Sequence, residues 1–450
     1  MAKTHDMTEG PLFKNIVIYT IPIILTSILQ LLFNAADLVI VGRFRGSLSV
    51  AAVGATGSIT MLIVNLFIGL SVGAGVTVAH ALGAKKDQEV HRTIHTAIPA
   101  AIISGVILTV IGISLSTPLL RMMNTPESVL PLSSLYMKIY FAGITFNMLY
   151  NFASSILRAA GDTKSPLIFL SLAGVINVGL NVMFVTLFNM NVEGVALATT
   201  ISQGVSAILV VIALMKRSDA CKLELRKMKI YKPQLTKIIR IGLPAGIQGS
   251  LFSISNVIIQ SSINSFGDIV MSGNAAAGNI EGFVYVTLNA FHQTAVNYVG
   301  QNAGAKKYKR VSKILLICLI SVIVVGIVTG GVVYMFAEDL LSIYITDSAE
   351  AIGYGIIRMS YICLFYFLCG LMDVSTGALR GLGASVAPMV ISVLGVCGIR
   401  IAWIYSIFRI PKFHTPGCLY SSYLVSWTVT FIIQMIAFYF IFKKHKKAQI

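Results

Sequence analysis

Long apolar runs dominate the chain, and short polar stretches separate them. Each run is near or above the length of about 20 residues that a helix needs to cross a bilayer. Twelve runs can be read, at 14–41, 50–80, 93–116, 134–157, 167–188, 194–215, 240–264, 273–300, 313–336, 353–379, 388–408 and 417–442. The pattern predicts an all-α polytopic membrane protein with twelve transmembrane helices.

The second half of the chain repeats the first at an offset of 221 to 222 residues. LRAAGDTKSP at 157–166 recurs as LRGLGASVAP at 379–388, GAKK recurs after the second and the eighth runs, and Pro22 recurs as Pro244. Because each copy contains an even number of spans, both copies enter the membrane from the same side. We therefore expect two six-helix lobes related by a pseudo-two-fold axis along the membrane normal.

The repeat also predicts the domain boundaries. The N-terminal lobe is expected at 1–215, a basic cytoplasmic linker at 216–237 and the C-terminal lobe at 238–450. Two like halves facing each other across a membrane are typical of a secondary transporter.

Composition and charge agree with this architecture. Hydrophobic residues make up 56% of the 450 positions and charged residues only 11%, against about 25% charged in a soluble domain. The net charge of +17 could indicate a nucleic-acid partner, but the basic residues concentrate in alternate loops, as membrane orientation requires. We therefore expect no nucleic-acid partner, and we place both termini and the linker on the cytoplasmic side of a bacterial inner membrane.

The chain shows no sign of processing, metal binding or catalytic chemistry. Residues 1–10 are polar and the first apolar run is too long for the core of a cleavable signal peptide. The six cysteines lack metal-ligand spacing and mostly lie in predicted spans, where they are expected to act as small packing residues. We expect no cofactor, no structural metal and no obligate protein partner.

Polar residues inside the spans are costly in lipid, which makes them candidates for function. Asp37 lies in the outer half of the first span, Asn177 and Asn181 share one face of the fifth, and Thr199 lies near the outer end of the sixth. Because these four residues reach similar depths, they could form a polar cluster that holds a proton or a small cation.

A structural interpretation of the same residues stays open. Asp37 could lie at the membrane interface and pair with Arg43 or Arg45, while the asparagines hold helices together through hydrogen bonds.

The second half offers weaker candidates. Glu281 and His292 lie in the eighth predicted span, Asp373 in the tenth and Arg400 in the eleventh, and Asn34 adds a polar group to the first. Opposite charges in lipid are usually paired, so Arg400 is expected to neutralise Glu281 or Asp373 as a structural lock. His292 is expected to be a hydrogen-bonded core residue.

Several motifs together resemble one transporter family along nearly the whole chain. They are LTSILQLLFNAADLVIVGRF in the first span, GAKK after the second, LRAAGDTKSPLIFLSLAGVINVGLN across the fourth and fifth, GVALATTIS in the sixth, NIEGFVY in the eighth, QNAGAKK after it, and LRGLGASVAPMVISVLGVCGIRIAWIY in the last third. As a set, they resemble the bacterial multidrug and toxic-compound extrusion (MATE) family. The resemblance implies export of amphipathic, chiefly cationic compounds by alternating access, in exchange for protons or sodium.

The resemblance also assigns roles to individual residues. Asp37 matches the first-helix aspartate that the family uses for cation coupling, and Asn177 matches an asparagine near it. Asn181 stands where some members carry a second aspartate, and Asp373 lies in the helix of the family's tenth-helix acid. QGSLFSISN in the seventh span lacks the glutamate of some sodium-coupled members. Coupling is therefore expected in the N-terminal lobe, with protons or with sodium bound at Asp37.

The expected mechanism is competition at Asp37. Protonation or sodium binding there would lower the affinity for a cationic compound held in a cavity lined by Phe33, Met148, Tyr150 and Met183. Two alternatives remain. A lipid-linked oligosaccharide flippase would need more intramembrane basic residues. An intramembrane enzyme would need a catalytic motif, and HExxH, for example, does not occur.

Overall fold

The computed structural model describes residues 6–346 and 348–447, and helices form nearly all of this part of the chain. The α-helices, in chain order, are α1 (Leu12–Arg45), α2 (Ser47–Gly83), α3 (Asp87–Met122), α4 (Leu130–Ala142), α5 (Ile144–Ala159), α6 (Lys164–Val182), α7 (Val192–Met215), α8 (Lys232–Asn264), α9 (Asp268–Gly304), α10 (Tyr308–Met335), α11 (Ala337–Ser342), α12 (Ala349–Ile362), α13 (Tyr366–Gly381), α14 (Val386–Ser392), α15 (Ile399–Tyr405) and α16 (Pro416–Lys447). No β-strand occurs among the described residues, so the predicted all-α class is confirmed.

Most of these helices are long and apolar enough to cross a membrane. Within 6–346 and 348–447, nine helices meet this criterion, and α12 with α13 form a tenth candidate that bends by 45° at a short break. The two remaining predicted spans coincide with α9, which is 37 residues long, and with α4 and α5 joined at Gly143. The helices thus correspond to the twelve predicted spans of a multi-pass membrane protein.

The structure interrupts four spans that the sequence predicted as continuous. Two π-helical segments follow α6 and α14, at Met183–Leu187 and Val393–Gly398. The fourth and tenth spans each consist of two helices. At the α4–α5 break the chain lies directly on α7, because a Cβ on Gly143 would lie 2.3 Å from Thr200 Cγ2. Apolar periodicity could not reveal these breaks, since the pieces on both sides remain apolar.

The first compact unit, Ile21–Ser250, contains most of α1, all of α2 to α7 and the first half of α8. Its core consists of aliphatic and aromatic side chains from α2, α3, α5 and α7. The first half of α8 packs backbone to backbone on α2, because a Cβ on Gly69 would lie 2.2 Å from Gly246 N and one on Gly73 would lie 2.2 Å from Ile238 O. Small residues allow such close approach between membrane helices.

The second compact unit combines Thr8–Thr20 with the chain from Leu251 onward. The hydroxyl groups of Thr20 and Thr294 lie 2.9 Å apart, which holds the first turns of α1 on α9. A large apolar core joins side chains of α8, α9, α13 and α16 with the segment between α13 and α16.

The compact units differ from the domains expected from the repeat, 1–215 and 238–450 with a linker at 216–237. The expected boundaries fall between helices, whereas the units divide α1 after Thr20 and α8 after Ser250. The linker itself lies within the first unit. Helix α8 therefore contributes its two halves to different units.

Candidate functional site

Asp37 belongs to a ring of four polar side chains in the first unit. Asp37 Oδ1 accepts a hydrogen bond from Asn181 Nδ2 at 2.5 Å, and Asp37 Oδ2 accepts one from Thr199 Oγ1 at 3.1 Å. Asn181 Nδ2 also lies 3.2 Å from Asn177 Oδ1, and Asn177 Nδ2 lies 3.4 Å from Thr199 Oγ1. The structure thus brings together the four residues that the sequence placed at one depth.

Helix geometry explains how these groups meet. Asn177 and Asn181 are one turn apart on α6 and share a face. A Cβ on Gly174 would lie 1.7 Å from Phe33 Cζ, so Phe33 of α1 packs directly on the backbone of α6. Asp37 follows Phe33 by one turn on α1 and therefore reaches the asparagine face of α6.

The structural interpretation of Asp37 as an interfacial partner of arginine does not match the observed contacts. Arg45 Nη2 instead donates to Val185 O and, at 3.2 Å, to Asn189 Oδ1. No ion pair involving Asp37 occurs among the residues that the structure describes. The Asp37 side chain, in a residue only 7% exposed, is therefore held by neutral donors alone.

Two details of the ring leave room for rearrangement. Asn181 Oδ1 is buried without a hydrogen-bond partner. Thr199 Oγ1 lies 3.0 Å from Val195 O as well as near Asp37, and a hydroxyl has only one proton to donate. The ring therefore contains one unused acceptor and one donor with a choice of two acceptors.

Asp37 faces a cavity of about 390 Å³ that lies wholly within the first unit. Among the described lining residues, Asp37 is the one carboxylate, and none is Lys, Arg or His. The lining consists of Gln30, Phe33, Asn34, Asp37, Thr60, Met61, Val64, Asn65, Ile68, Tyr136, Tyr140, Asn147, Tyr150, Asn151, Leu170, Ala173, Gly174, Asn177, Thr199, Ser202, Gln203 and Ser206. A negative group in an aromatic and amide surface suits a cationic, partly apolar molecule.

The expected lining residues are only partly correct. Phe33, Tyr150 and the secondary candidate Asn34 line the cavity. Met148 is fully buried in an adjacent apolar cluster, and Met183 is not among the lining residues. The sequence missed the paired rings of Tyr136 and Tyr140, whose centroids are 6.5 Å apart. Their spacing of four residues along one span was the available signal.

The expected pairing of Arg400 with Glu281 or Asp373 is wrong. Glu281 forms its ion pair with Arg358 of α12, and Arg358 Nη1 also donates to Asn274 Oδ1 at 2.5 Å. Arg358 lies inside the tenth predicted span, so its charge was a visible signal that the sequence reasoning overlooked.

Arg400 is satisfied without a carboxylate. Its Nε donates to Ser426 Oγ at 3.1 Å, and its guanidinium carbon lies 3.9 Å from the centroid of the Tyr423 ring and 5.8 Å from that of Trp427. Stacking on aromatic faces stabilises a buried guanidinium. Arg400, which belongs to α15, therefore links α15 to α16.

His292 is a hydrogen-bonded core residue, as expected. Its Nδ1 donates to the backbone oxygen of Asp373 at 2.6 Å, and its Nε2 accepts from Arg380 Nη1 at 3.4 Å. Arg380 is only 7% exposed, so it does not reach out to the membrane surface as an arginine at a span end usually does. Asp373 interacts with Arg380 and Asn289. These groups form a second polar cluster, separate from the ring around Asp37.

Comparison with known proteins assigns the family. A family model described as MatE matches residues 22–183 and 244–406, once in each half of the chain. The chain belongs to the MATE family. Both matched regions begin at the repeated prolines Pro22 and Pro244, so the internal repeat is also the family's own unit.

Curated relatives of this MATE protein cover most of its length. A probable multidrug resistance protein, YpnP of Bacillus subtilis, is 29% identical over 88% of this chain and 89% of its own. The probable multidrug resistance protein NorM of Thermotoga maritima is 26% identical over 86% of this chain and 84% of its own. The multidrug export protein MepA of Staphylococcus aureus is 21% identical over 86% and 85%.

Solved structures share the fold. A MOP superfamily transporter from Pyrococcus furiosus superposes with a TM-score of 0.91 at 20% identity and covers 99% of this chain and 100% of that one. An outward-facing multidrug resistance MATE transporter gives the same TM-score at 21% identity, with the same coverage. Family and fold together make this MATE protein a transporter, so the alternative of an intramembrane enzyme is excluded.

Proposed function

We propose that this transporter exports amphipathic organic cations in exchange for protons or sodium, with Asp37 as the coupling group. The observation that carries the proposal is the environment of Asp37. Its carboxylate faces a cavity without a basic lining residue among those described, and its two hydrogen-bond donors are neutral. Its negative charge is therefore available to a proton, a metal cation or an organic cation, but to only one at a time.

The ring around Asp37 offers a way to respond to a proton. A protonated carboxyl group needs an acceptor, and Asn181 Oδ1 is a buried acceptor without a partner. Rotation of the Asn181 amide by half a turn would present this oxygen to Asp37 and remove Nδ2 from Asn177 Oδ1. Protonation would thus change hydrogen bonds that join α1, α6 and α7.

Sodium would use the same residues differently. Hard cations prefer oxygen ligands, and the ring supplies the Asp37 carboxylate, the Thr199 hydroxyl and the amide oxygens of Asn177 and Asn181. The described residues contain no group of three or more His, Cys, Asp or Glu side chains that could hold a metal ion. Because the ring offers oxygen ligands for sodium and a carboxylate for a proton, the proposal includes both coupling ions.

The relatives support the direction and the cargo of transport. Three of them are named as multidrug resistance or export proteins. The lining supports a cation over the phosphate-bearing lipid of a flippase, since a polyanion needs basic groups that the described lining lacks. We also propose that the linker and both termini face the cytoplasm, because the basic residues concentrate there.

Efflux of a fluorescent organic cation from proteoliposomes tests this proposal. Proton and sodium gradients are imposed separately on wild type and Asp37→Asn at matched protein density. We expect one gradient to drive efflux by the wild type and neither to drive efflux by the variant. Undiminished gradient-driven efflux by Asp37→Asn would refute the coupling role, and no efflux of any tested cation by the wild type would refute the substrate class.

A further inference from the structure

The linker between the two halves contains a short segment whose side chains are all exposed. Residues Leu225–Ile230, with the sequence LRKMKI, include three basic residues and three apolar ones. The apolar residues Leu225, Met228 and Ile230 are 47%, 36% and 41% exposed, although they lie outside every candidate span. We call this segment the linker strap. Exposed apolar side chains at such a density indicate a surface that something covers.

Backbone hydrogen bonds of the strap and of its two flanking residues, Glu224 and Tyr231, hold it to the first unit. Glu224 N donates to His95 Nε2 at 3.0 Å, and Lys229 N donates to His95 O at 3.3 Å. Tyr231 N donates to Thr96 Oγ1 at 3.1 Å. Because these bonds use backbone groups, they fix the position of the strap on α3 and leave its side chains exposed.

The attachment point lies where α3 changes from a polar to a lipid-facing surface. Arg92 is the last exposed charged residue before the apolar part of α3, and Ile102 is the first exposed apolar one, at 39%. Thr96 lies between them, and Ile102 is about 9 Å further along the helix axis. Tyr231 lies beside Arg92, with the guanidinium carbon 5.6 Å from its ring centroid, and tyrosine is typical of the membrane interface.

We infer that the linker strap lies on the membrane surface, with its apolar side chains inserted among the lipids and its basic side chains bound to anionic headgroups. A segment that combines basic and apolar side chains binds such an interface through electrostatic attraction to the headgroups and through burial of its apolar side chains. The level at which α3 holds the strap favours lipid over a soluble protein partner. This inference is independent of the transported compound and of the coupling ion.

A fluorophore on the strap measures its position directly. We would attach an environment-sensitive dye at Met228→Cys in a Cys418→Ser background, since Cys418 is the one described native cysteine that is not buried. The protein is placed in nanodiscs of phosphatidylcholine, alone or mixed with phosphatidylglycerol, with spin-labelled lipid as the quencher. We expect quenching in the anionic discs to be about twofold or more stronger, and high salt to reduce this difference.

Two triple variants of equal charge provide the control. Arg226→Gln, Lys227→Gln and Lys229→Gln together should abolish the difference between the two disc types. Lys306→Gln, Lys309→Gln and Lys313→Gln, which remove three exposed charges from the second unit, should preserve it. The inference is overturned when the dye escapes lipid quenching in both disc types and stays open to aqueous iodide, or when both triple variants act alike.

Discussion

The two halves of the protein treat a buried carboxylate in opposite ways. In the first unit, Asp37 receives hydrogen bonds from the neutral side chains of Asn181 and Thr199. In the second unit, Glu281 pairs with the guanidinium of Arg358. Both acids are nearly buried, with exposed fractions of 7% and 5%. Neutral donors orient a carboxylate but leave its charge uncompensated, whereas a guanidinium compensates it.

The surroundings of the two acids differ as well, since one acid faces a cavity and the other belongs to a hydrogen-bond network. Asp37 faces a cavity of about 390 Å³, while Glu281 belongs to a network in which Arg358 and Tyr420 both donate to Asn274 Oδ1. An uncompensated charge beside a cavity can exchange its partner, and a compensated charge inside a network can hold helices together. The comparison therefore agrees with the exchange that we propose for the first unit and indicates cohesion in the second.

The largest expected effect comes from breaking the ion pair of the second unit. Either Glu281→Gln or Arg358→Met leaves a buried group without its partner, at a cost of about 3–5 kcal/mol in the free energy of unfolding. The double variant removes both charges and should recover most of that loss. Thermal unfolding in detergent measures the three variants. A loss in the double variant equal to the sum of the two single losses would mean that the pair is not coupled.

The second prediction compares transport and thermal stability for variants of both sites. Asp37→Asn should lower gradient-driven transport by about tenfold or more, because the amide cannot carry the exchanged charge, and it should move the unfolding temperature by only a few degrees. The double variant of Glu281 and Arg358 should keep at least about half of wild-type transport, since its role is structural. Loss of transport in both would contradict the division between exchange and cohesion.

The difference between the two sites also explains what the sequence could predict. The ring around Asp37 was predictable because depth follows from counting residues along a helix, and Asn177 and Asn181 share a face by periodicity. The choice of partner for Glu281 was not, because Arg358 and Arg400 both lie in predicted spans and only lateral helix packing decides between them. The break between α4 and α5 depends on the close contact of Gly143 with Thr200 of α7, which leaves no trace in hydropathy.

The third prediction concerns a single donor in the ring. Thr199→Val keeps the shape of the side chain but removes the hydrogen bond to Asp37 Oδ2, which is worth about 1 kcal/mol. We expect transport to fall about fivefold and to show an altered dependence on the driving ion's concentration. Thr60→Val is the matched control, since Thr60 also lines the cavity but no hydrogen bond joins it to the ring in the described structure. Equal effects of both variants would indicate a general change in cavity polarity.

The last prediction tests how tightly the cavity wall is packed beside Asp37. A Cβ on Gly174 would lie 1.7 Å from Phe33 Cζ, whereas a Cβ on Gly179 of the same helix would meet nothing within 4 Å. Gly174→Ala must therefore displace Phe33, which lines the cavity, and we expect a loss of about 1–3 kcal/mol in stability with a changed KM for the transported cation. Gly179→Ala should be neutral or slightly stabilising, because alanine favours the helix over glycine by about 0.5–1 kcal/mol. The unfolding temperatures and transport KM values of the two variants, measured side by side, test this expectation.

An unchanged KM in Gly174→Ala would show that Phe33 packs the cavity wall without shaping the binding site. The proposed exchange function would then rest on the polar ring alone.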